Sequence, residues 1–231
     1  MFSRGIRTPL AKEEGEKPFW ISYADLMTAM MMLFLIVMTF SLVIITNPGP
    51  ELEHLKKIQQ ICDEIKTAAK DVQGVTVDCI NNRIDFGVQA QFSNNDSKLP
   101  DNAKQKLREF VPILLTVARK DLGKLLKRVV VEGYASPTGS YLLNLQLSMR
   151  RAETVLCSLF EAPKSNEILL SIQDKQMVRD LFLVGGYSFN NGQGKSAAEM
   201  RRVEFKLDFL GFDEQPPATN SSDMDNYGQC Q

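Results

Sequence analysis

The 231-residue sequence lacks most of the features that mark enzymes and nucleic-acid-binding proteins. It has a single histidine, His54, which we expect at the surface, and no Cys-x-x-Cys pair. It also has no nucleophile motif, glycine-rich phosphate loop or spaced cluster of metal ligands. The 27 lysine and arginine residues are balanced by 28 aspartate and glutamate residues, so no basic excess favours nucleic acid. The sequence therefore predicts no enzyme, no nucleic-acid partner, no cofactor and no metal site.

Charge, glycine and proline are also absent from one long stretch near the N-terminus, residues 26–45. A helix of about 20 such residues covers the roughly 30 Å hydrocarbon core of a bilayer. Basic residues precede this stretch within residues 1–18, whereas residues 46–54 contain no lysine or arginine. By the positive-inside rule we expect an uncleaved, single-pass membrane anchor with a cytoplasmic N-terminus and an exported C-terminal part.

One carboxylate, Asp25, lies about one turn inside the predicted membrane segment, residues 19–46. A charge there costs about 2.5 to 3.5 kcal/mol on insertion scales unless it is protonated, paired or facing water. Aromatic residues at 19–23 form an interfacial belt farther out, so we expect Asp25 to be functional. An interfacial N-cap is the alternative. The small and polar residues nearby indicate a helix-packing or pore-lining face: Ser22, Thr28, Ala29 and Met32.

All four cysteines follow the membrane segment, which places them in an oxidising compartment. An even number predicts two disulfides, for which three pairings are possible. We favour Cys62 with Cys79, which closes a short loop, and Cys157 with Cys230, which ties the polar tail to the main domain. Four free thiols are the alternative.

Residues 47–74 are predicted to be a juxtamembrane linker and pairing helix. After the helix-breaking Asn47-Pro48-Gly49-Pro50, apolar residues recur at intervals of three and four, the a/d pattern of a coiled coil. These residues are Leu55, Ile58, Cys62, Ile65, Ala69 and Val72. The stripe can pair two copies into a homodimer, or it can pack on the chain's own domain, and the spacing leaves both open.

Residues 75–212 alternate between strand and helix patterns. Strands are predicted at 75–80 and 83–88, joined by an Asn81-Asn82 hairpin turn, and at 127–132, 181–184 and 202–209. Helices are predicted at 100–119, 141–160 and 168–179. This alternation predicts an α/β sandwich, a sheet with helices over one face. The polar segments 1–18 and 213–231 are expected to be a cytoplasmic tail and a C-terminal tail with little fixed structure.

The run Trp20-Ile-Ser-Tyr-Ala-Asp25-Leu-Met-Thr-Ala-Met30 resembles the membrane segment of MotB-type stator subunits of ion-driven rotary motors. The resemblance implies that Asp25 binds the translocated proton. It also implies that the segment just outside the membrane carries a plug or dimerisation element. Sodium in place of the proton is left open.

Three motifs in the second half resemble the OmpA-like peptidoglycan-binding domain. They are Glu132-Gly-Tyr-Ala-Ser136-Pro-Thr-Gly139, Asn144-Leu-Gln-Leu-Ser148-Met-Arg-Arg151-Ala and Arg201-Arg-Val-Glu-Phe205. The resemblance implies a single N-terminal transmembrane helix followed by an OmpA-like periplasmic domain. It assigns peptidoglycan binding to Tyr134, Asn144, Leu147 and Arg151.

Ser136 stands where the OmpA-like family has an aspartate, so one half of the expected zwitterion clamp is missing. Wall binding could then be weak, use Glu132 or another acid, or be absent. An OmpA-like fold kept as a dimerisation scaffold is the alternative. Arg201 and Arg202 could serve only to brace the last strand.

Nearly the whole chain also resembles the ZorB family of the Zorya anti-phage defence system. The matching stretches are residues 16–31, Val77-Asp-Cys79, Cys157-Ser-Leu and Gly185-Gly-Tyr-Ser-Phe-Asn-Asn191. The resemblance implies a motor complex in which two copies of the chain sit inside a pentameric ring of a MotA-like membrane subunit, ZorA. A flagellar stator subunit, a passive peptidoglycan-binding anchor and an ExbD-like energy-transducing unit are the alternatives.

Overall fold

The computed structural model describes residues 19–46, 49–161, 169–190, 196–216, 227–228 and 230. The chain divides into two compact units, Met1–Pro50 and Glu51–Gln231. The expected cytoplasmic tail, residues 1–18, lies outside the described residues, as does most of the polar segment 213–231.

Six α-helices and five β-strands make up the part of the chain that the structure describes. The helices are α1 Phe19–Thr46, α2 Pro50–Ala68, α3 Asp101–Ala118, α4 Tyr141–Phe160, α5 Ile172–Leu181 and α6 Ala197–Met200. The strands are β1 Thr76–Asp78, β2 Arg83–Asp85, β3 Leu126–Gly133, β4 Phe182–Gly186 and β5 Val203–Phe209. Two short 3₁₀ turns lie at Gly87–Ala90 and Leu122–Leu125.

α1 is one uninterrupted helix of 28 residues. At about 1.5 Å per residue it is roughly 42 Å long, and it is long and apolar enough to cross a membrane once. Its side chains from Tyr23 onward are exposed on every side, as Phe40 at 70% and Ile45 at 75% show. Such a surface is suited to lipid or to neighbouring membrane helices.

The second unit is built on one five-stranded sheet with strand order β1-β2-β5-β3-β4. β5 runs antiparallel between β2 and β3, and β3 and β4 are parallel. Alternate strand side chains such as Ile84, Val129 and Phe205 are fully buried in a core shared with α3, α4 and α5. The intervening positions carry charged groups on the opposite face. The predicted α/β sandwich, with helices over one face of the sheet, is confirmed.

The predicted β1–β2 hairpin is present, but its loop differs from the expected two-residue turn. Asp78 pairs with Arg83, which leaves a four-residue loop in which Asn82 has a positive φ of 53°. The Asp78 carboxylate closes this loop, because it accepts from the backbone N–H groups of Ile80 at 2.9 Å and Asn81 at 3.2 Å. The second strand, predicted to extend to residue 88, ends at Asp85, whose carboxylate accepts from Gly87 N–H.

The start of α5 is also set by a local hydrogen bond that the periodicity did not reveal. Ser171 and Asp174 form a capping box, in which each side chain accepts from the other's backbone N–H. The helix therefore begins at Ile172. The predicted start at residue 168 lies outside the described residues.

α2 packs on the chain's own domain through its C-terminal half. Ile61, Cys62 and Ile65 are at most 1% exposed, whereas Leu52 and Leu55 are 47% and 60% exposed. His54 is half-buried rather than at the surface, with Nε2 2.8 Å from the Leu210 carbonyl oxygen and its ring edge-on to Phe212. Only the first half of the predicted a/d stripe is thus available for pairing with a second chain.

Both favoured disulfides are present in the structure. Cys62–Cys79 joins α2 to the β1–β2 hairpin, and Cys157–Cys230 joins α4 to the C-terminal tail. The tail also contacts α4 through Tyr227, whose ring packs on Phe160 with the centroids 5.0 Å apart. The two crosslinks attach α2 to the β1–β2 hairpin and Cys230 to α4.

Candidate functional site

Asp25 is the single charged residue of α1. Its carboxylate forms no hydrogen bond or ion pair with any residue that the structure describes. Four serine and threonine hydroxyls of the helix, in contrast, donate to its own backbone carbonyls at 2.8–2.9 Å: Thr28, Thr39, Ser41 and Thr46. Asp25 is therefore a charged group of this apolar helix that still needs a partner.

The expected pore-lining residues are placed by the helix itself. Thr28 and Ala29 follow Asp25 by three and four residues and therefore share its face. The Thr28 hydroxyl donates to the Asp25 carbonyl oxygen at 2.9 Å, so its proton is not directed at the Asp25 carboxylate. Ser22 lies one turn before Asp25 on the same helix, and its side chain is outside the described residues.

The second candidate site forms where α4 begins, beside the ends of β3 and β4. α4 crosses these strands at Gly133 and Gly186, where even a Cβ atom would meet helix backbone. A Cβ on Gly133 would lie 2.9 Å from the Ser148 carbonyl carbon, and one on Gly186 would lie 2.8 Å from Met149 N. This close approach fixes the position of α4, which carries Asn144, Leu147 and Arg151.

Arg151 lies beneath the 91–99 loop and has no exposed surface. Its Nε, Nη1 and Nη2 donate to the carbonyl oxygens of Asp96, Tyr134 and Ser93 at 2.9, 2.8 and 3.0 Å. Its guanidinium also lies 5.0 Å from the centre of the Phe92 ring. Arg151 thereby fastens the 91–99 loop to the end of β3.

Burial lowers the pKa of Arg151 to about 10, and the charge of Arg201 acts in the same direction while that of Asp96 opposes it. Arg151 therefore remains cationic at neutral pH. Arg201 braces the same loop, since its Nε donates to the Phe92 carbonyl at 3.0 Å and its own carbonyl accepts from Phe92 N–H. The conformation of the loop thus depends on two arginines.

The other residues assigned to peptidoglycan lie around this loop but differ in accessibility. Asn144 is 3% exposed, and its Nδ2 donates to the Thr138 carbonyl at 3.0 Å, which holds the segment before α4. Leu147 is half-buried. Tyr134 is 1% exposed, and its hydroxyl donates to Glu132 at 2.7 Å on the other side of the sheet. Its carbonyl oxygen accepts from Arg151.

The acids near the site are not equivalent. Glu132 is 1% exposed and engaged by Arg83 at 2.5 Å and by Tyr134, so it is not available to replace the family aspartate. Ser136 is itself 5% exposed. Asp96 is exposed, and its Oδ1 accepts from Lys98 N–H at 2.9 Å, while Oδ2 has no hydrogen-bond partner among the described residues. In the sequence, Asp96 follows two asparagines and gives no signal beyond that of a loop residue.

The membrane segment matches a known family model. Residues 7–44 match the model described as membrane MotB of the proton-channel complex MotA/MotB. Solved structures of similar fold include a MotB-like protein from Desulfovibrio vulgaris, 15% identical over 70% of this chain and 96% of that chain, with a TM-score of 0.47. The OmpA-like domain of FopA1 from Francisella tularensis subsp. tularensis SCHU S4 is 18% identical over 59% of this chain and 82% of its own, with a TM-score of 0.35.

The apolar helix with its lone carboxylate, followed by an α/β domain, defines a MotB-like single-pass membrane subunit. The chain is 39% identical over 219 residues to the Zorya protein ZorB of Escherichia coli O139:H28 (strain E24377A / ETEC), which spans 92% of this chain and 89% of that protein. The chain belongs to the ZorB family of Zorya proteins.

Proposed function

We propose that this chain is the stator-like subunit of a proton-driven membrane motor in anti-phage defence, with Asp25 as the ion carrier and the α/β domain as the peptidoglycan anchor. The observation that carries the proposal is the unpartnered carboxylate of Asp25 within a 28-residue apolar helix. A carboxylate in such a place persists where it has a protein-lined path to ions.

The proposed mechanism follows from the chemistry of that carboxylate. In a site with little water, desolvation favours the neutral acid, whereas contact with an aqueous path lets the acid release its proton. The membrane potential supplies about 2.3 kcal/mol per charge and 100 mV. Loading and release change how Asp25 packs against surrounding helices, and two copies that load alternately would turn a ring around them. Ser22, Thr28 and Ala29 would line the path.

The partner in this proposal is a pentameric ring of a MotA-like subunit, the ZorA protein of the Zorya system, around two copies of this chain. The exposed apolar surface of α1 supports packing against such helices, since none of its side chains from Tyr23 to Ile45 is covered within the described chain. The basic residues before α1 support a cytoplasmic N-terminus and a periplasmic α/β domain. Leu52 and Leu55 would contribute to the homodimer.

Deletion of this chain from its operon is expected to remove protection against phage and to leave swimming motility unchanged. Plating efficiency of phage and spreading in soft agar measure the two outcomes. A flagellar stator subunit would give the opposite pattern, with lost motility and unchanged phage sensitivity. That result would contradict the defence assignment.

For the anchor, we propose that peptidoglycan binds at the surface formed by the 91–99 loop and the start of α4. With the loop in the position seen, the Arg151 guanidinium is enclosed, so Arg151 acts by holding the loop. The exposed carboxylate of Asp96 lies on this loop and takes the role of the family aspartate that Ser136 replaces. It accepts from the ammonium group of the wall peptide.

Replacing Asp96 with asparagine is expected to weaken wall binding about ten- to a hundred-fold, because one charge-assisted hydrogen bond of roughly 1.5 to 3 kcal/mol is lost. Ser136→Asp should strengthen binding, because it restores the family carboxylate. Cosedimentation of the detergent-solubilised full chain with isolated cell walls measures both changes. Asp121→Asn is the matched control, because it makes the same change at a side chain that is 96% exposed.

The outcomes separate two errors. If the native chain does not sediment with cell walls, the anchoring role is wrong. If the native chain sediments and Asp96→Asn sediments equally well, only the role of Asp96 is wrong.

A further inference from the structure

A polar pocket of about 400 Å³ lies on the face of the sheet that the helices leave open. It is lined chiefly by Thr76, Arg83, Asp85, Tyr134, Arg202 and Glu204. Pockets of this size hold small ligands, and convergent charged groups on their walls determine which ligand fits.

The strand register brings three carboxylates into one row across the sheet. Asp85 of β2 is paired with Glu204 of β5, and Glu204 is paired with Glu132 of β3. Thr76 of β1 continues the row on the other side of Asp85. Like charges directly opposite one another destabilise a sheet, so this row requires cations.

Arg83 supplies one of the cations, and it uses only one of its nitrogens. Its Nη1 lies 2.5 Å from Glu132 Oε2 and 2.6 Å from Glu204 Oε2. Its Nε and Nη2 have no hydrogen-bond partner among the described residues, and they are not enclosed. The side chain is 27% exposed, so one edge of the guanidinium fork faces the pocket.

Arg202 supplies the second cation from a deeper position. Its side chain is 7% exposed, its Nε donates to Glu204 Oε1 at 2.6 Å, and its Nη1 donates to the Glu199 carbonyl at 3.1 Å. Its guanidinium stacks 4.5 Å from the centre of the Tyr134 ring. Nη2 has no partner within the described part of the chain, although the residue is more than nine-tenths buried and lines the pocket.

The contacts within the cluster stabilise the charged forms of Glu204 and Arg83. Burial by itself would raise the pKa of Glu204, but the hydrogen bonds and charges of Arg202 and Arg83 lower it below its usual range. Burial would lower the pKa of Arg83, but its contacts with Tyr134 and Glu132 raise it. Glu204 and Arg83 therefore both remain ionised in the folded protein.

Asp85 gives the pocket an acceptor beside these donors. Its Oδ1 accepts from Gly87 N–H at 2.8 Å, and its Oδ2 has no hydrogen-bond partner among the residues described. Thr76 lies next to it in the row, with its hydroxyl 3.5 Å from the Asp85 carbonyl oxygen. A simple anion would lie beside the Asp85 carboxylate, and a simple cation would leave the free guanidinium nitrogens of Arg83 and Arg202 without an acceptor.

We propose that this pocket binds a small zwitterion, a ligand that carries a carboxylate and an ammonium group a few ångströms apart. The carboxylate lies on the free edge of Arg83 and on Nη2 of Arg202, a geometry that suits a guanidinium fork. The ammonium donates to Asp85 Oδ2 and to the Thr76 hydroxyl. An amino acid and the zwitterionic end of a wall peptide both have this chemistry.

The site is separate from the surface proposed for wall anchoring. That surface uses the side chains of Asp96 and Asn144 and the helix α4, whereas the pocket uses side chains on the open face of β1, β2 and β5. Tyr134 is the shared residue, with its carbonyl on Arg151 and its ring and hydroxyl in the pocket. Binding in the pocket therefore does not depend on the proposed anchoring role.

Isothermal titration of the detergent-solubilised full chain tests the proposal with defined probes. Glycine and the tripeptide L-alanyl-γ-D-glutamyl-meso-diaminopimelate represent the two sources of the zwitterion, and acetate and methylammonium each carry half of it. We expect glycine, the tripeptide or both to bind, and either half alone to bind at least about tenfold more weakly. Saturation by acetate or methylammonium as tight as by the zwitterions would overturn the proposal, as would no binding of any probe.

Two conservative variants identify the site. Asp85→Asn keeps an oxygen for Gly87 N–H but removes the charge that faces the ammonium. Arg83→Lys keeps a cation for Glu132 and Glu204 but removes the free guanidinium edge. Each is expected to weaken zwitterion binding about tenfold or more. Asp208 is an acid on the same sheet face that is paired with Arg128, so Asp208→Asn is a control that should bind as the native chain does.

Melting temperatures of the three variants show whether each remains folded. Unchanged binding in folded Asp85→Asn and Arg83→Lys would place the zwitterion elsewhere and contradict the proposal. If the tripeptide binds and glycine does not, the wall peptide is the source. The reverse result assigns the pocket to free amino acids.

Discussion

Replacing Asp25 with asparagine is expected to abolish phage protection while the motor complex remains assembled. Asparagine has nearly the size of the neutral acid and can keep its packing and hydrogen bonding, but it cannot release a proton. Plating efficiency on cells that carry the whole operon should therefore fall to the level of cells without it. Membrane levels of this chain and of its ring-forming partner, measured in the same cells, show whether assembly persists.

The structure provides a control for this experiment on the same helix. Thr39 is a polar residue of α1 whose hydroxyl donates to the carbonyls of Leu35 and Ile36. Thr39→Val removes this internal hydrogen bond and leaves Asp25 intact, so protection should persist. Protection that survives in Asp25→Asn would show that Asp25 carries no ion, and would leave a passive anchor with a carboxylate at the membrane interface.

If Asp25→Asn abolishes protection, the identity of the ion becomes measurable. A proton carrier keeps its activity when sodium in the medium is replaced by potassium, and it loses activity when the proton gradient and potential are collapsed. A sodium carrier shows the opposite response to ion replacement. A carboxylate can bind a proton or a sodium ion, so the response to the ions in the medium distinguishes the two.

The elements that were predictable from the sequence are those with a strong local signal. An apolar run of about 20 residues sets α1, a short run of valines sets β3, and period-two alternation sets β5. The disulfide partners followed from compartment and spacing, because Cys62 and Cys79 are close in sequence and Cys157 and Cys230 tie down a polar tail. Each of these features leaves a signal in the composition or the local pattern of the sequence.

The roles of polar residues were not predictable in the same way, because they depend on which side of the sheet a side chain faces. Glu132 belongs to the same motif as Tyr134, yet its strand position directs it to the open face, where Arg83 from another strand neutralises it. Arg151 is a charged residue that resembles a ligand contact, and its three backbone acceptors come from two loops distant in sequence. The roles of Glu132 and Arg151 were set by contacts with residues distant in sequence, which the spacing of the motifs did not reveal.

The first half of α2 illustrates a periodicity that fits two structures. The same stripe of apolar residues is equally suited to a coiled coil and to a helix on its own domain. Within this stripe, Cys62 and Ile65 are buried in the α/β domain, while Leu55 remains exposed. The periodicity of the sequence could not show which residues of the stripe pack on the chain's own domain and which remain available to a second chain.

Gly133→Ala is expected to have the largest effect on stability of any single methyl addition to this site. The new Cβ would overlap the carbonyl oxygen of Ser148 and lie 2.9 Å from its carbonyl carbon and 3.2 Å from Ala152 N. These atoms belong to the backbone of α4 and cannot move independently, and the contact of α4 with Gly186 restricts the helix on the neighbouring strand. Overpacking of this kind costs about 3 kcal/mol or more.

The cost should appear in both stability and binding. A loss of about 3 kcal/mol corresponds to a melting temperature lower by roughly 6 to 12 °C for a domain of this size. Displacement of α4 would also draw Arg151 away from the carbonyls of Ser93 and Asp96, so the 91–99 loop would lose its anchor and wall sedimentation would fall.

Gly211→Ala is the matched control, because the atom nearest to its new Cβ is the Glu214 Cβ at an ordinary 3.7 Å. Equal melting temperatures for the two variants would mean that α4 can move away from β3 without loss, and the position of Arg151 would then not depend on this helix–strand contact.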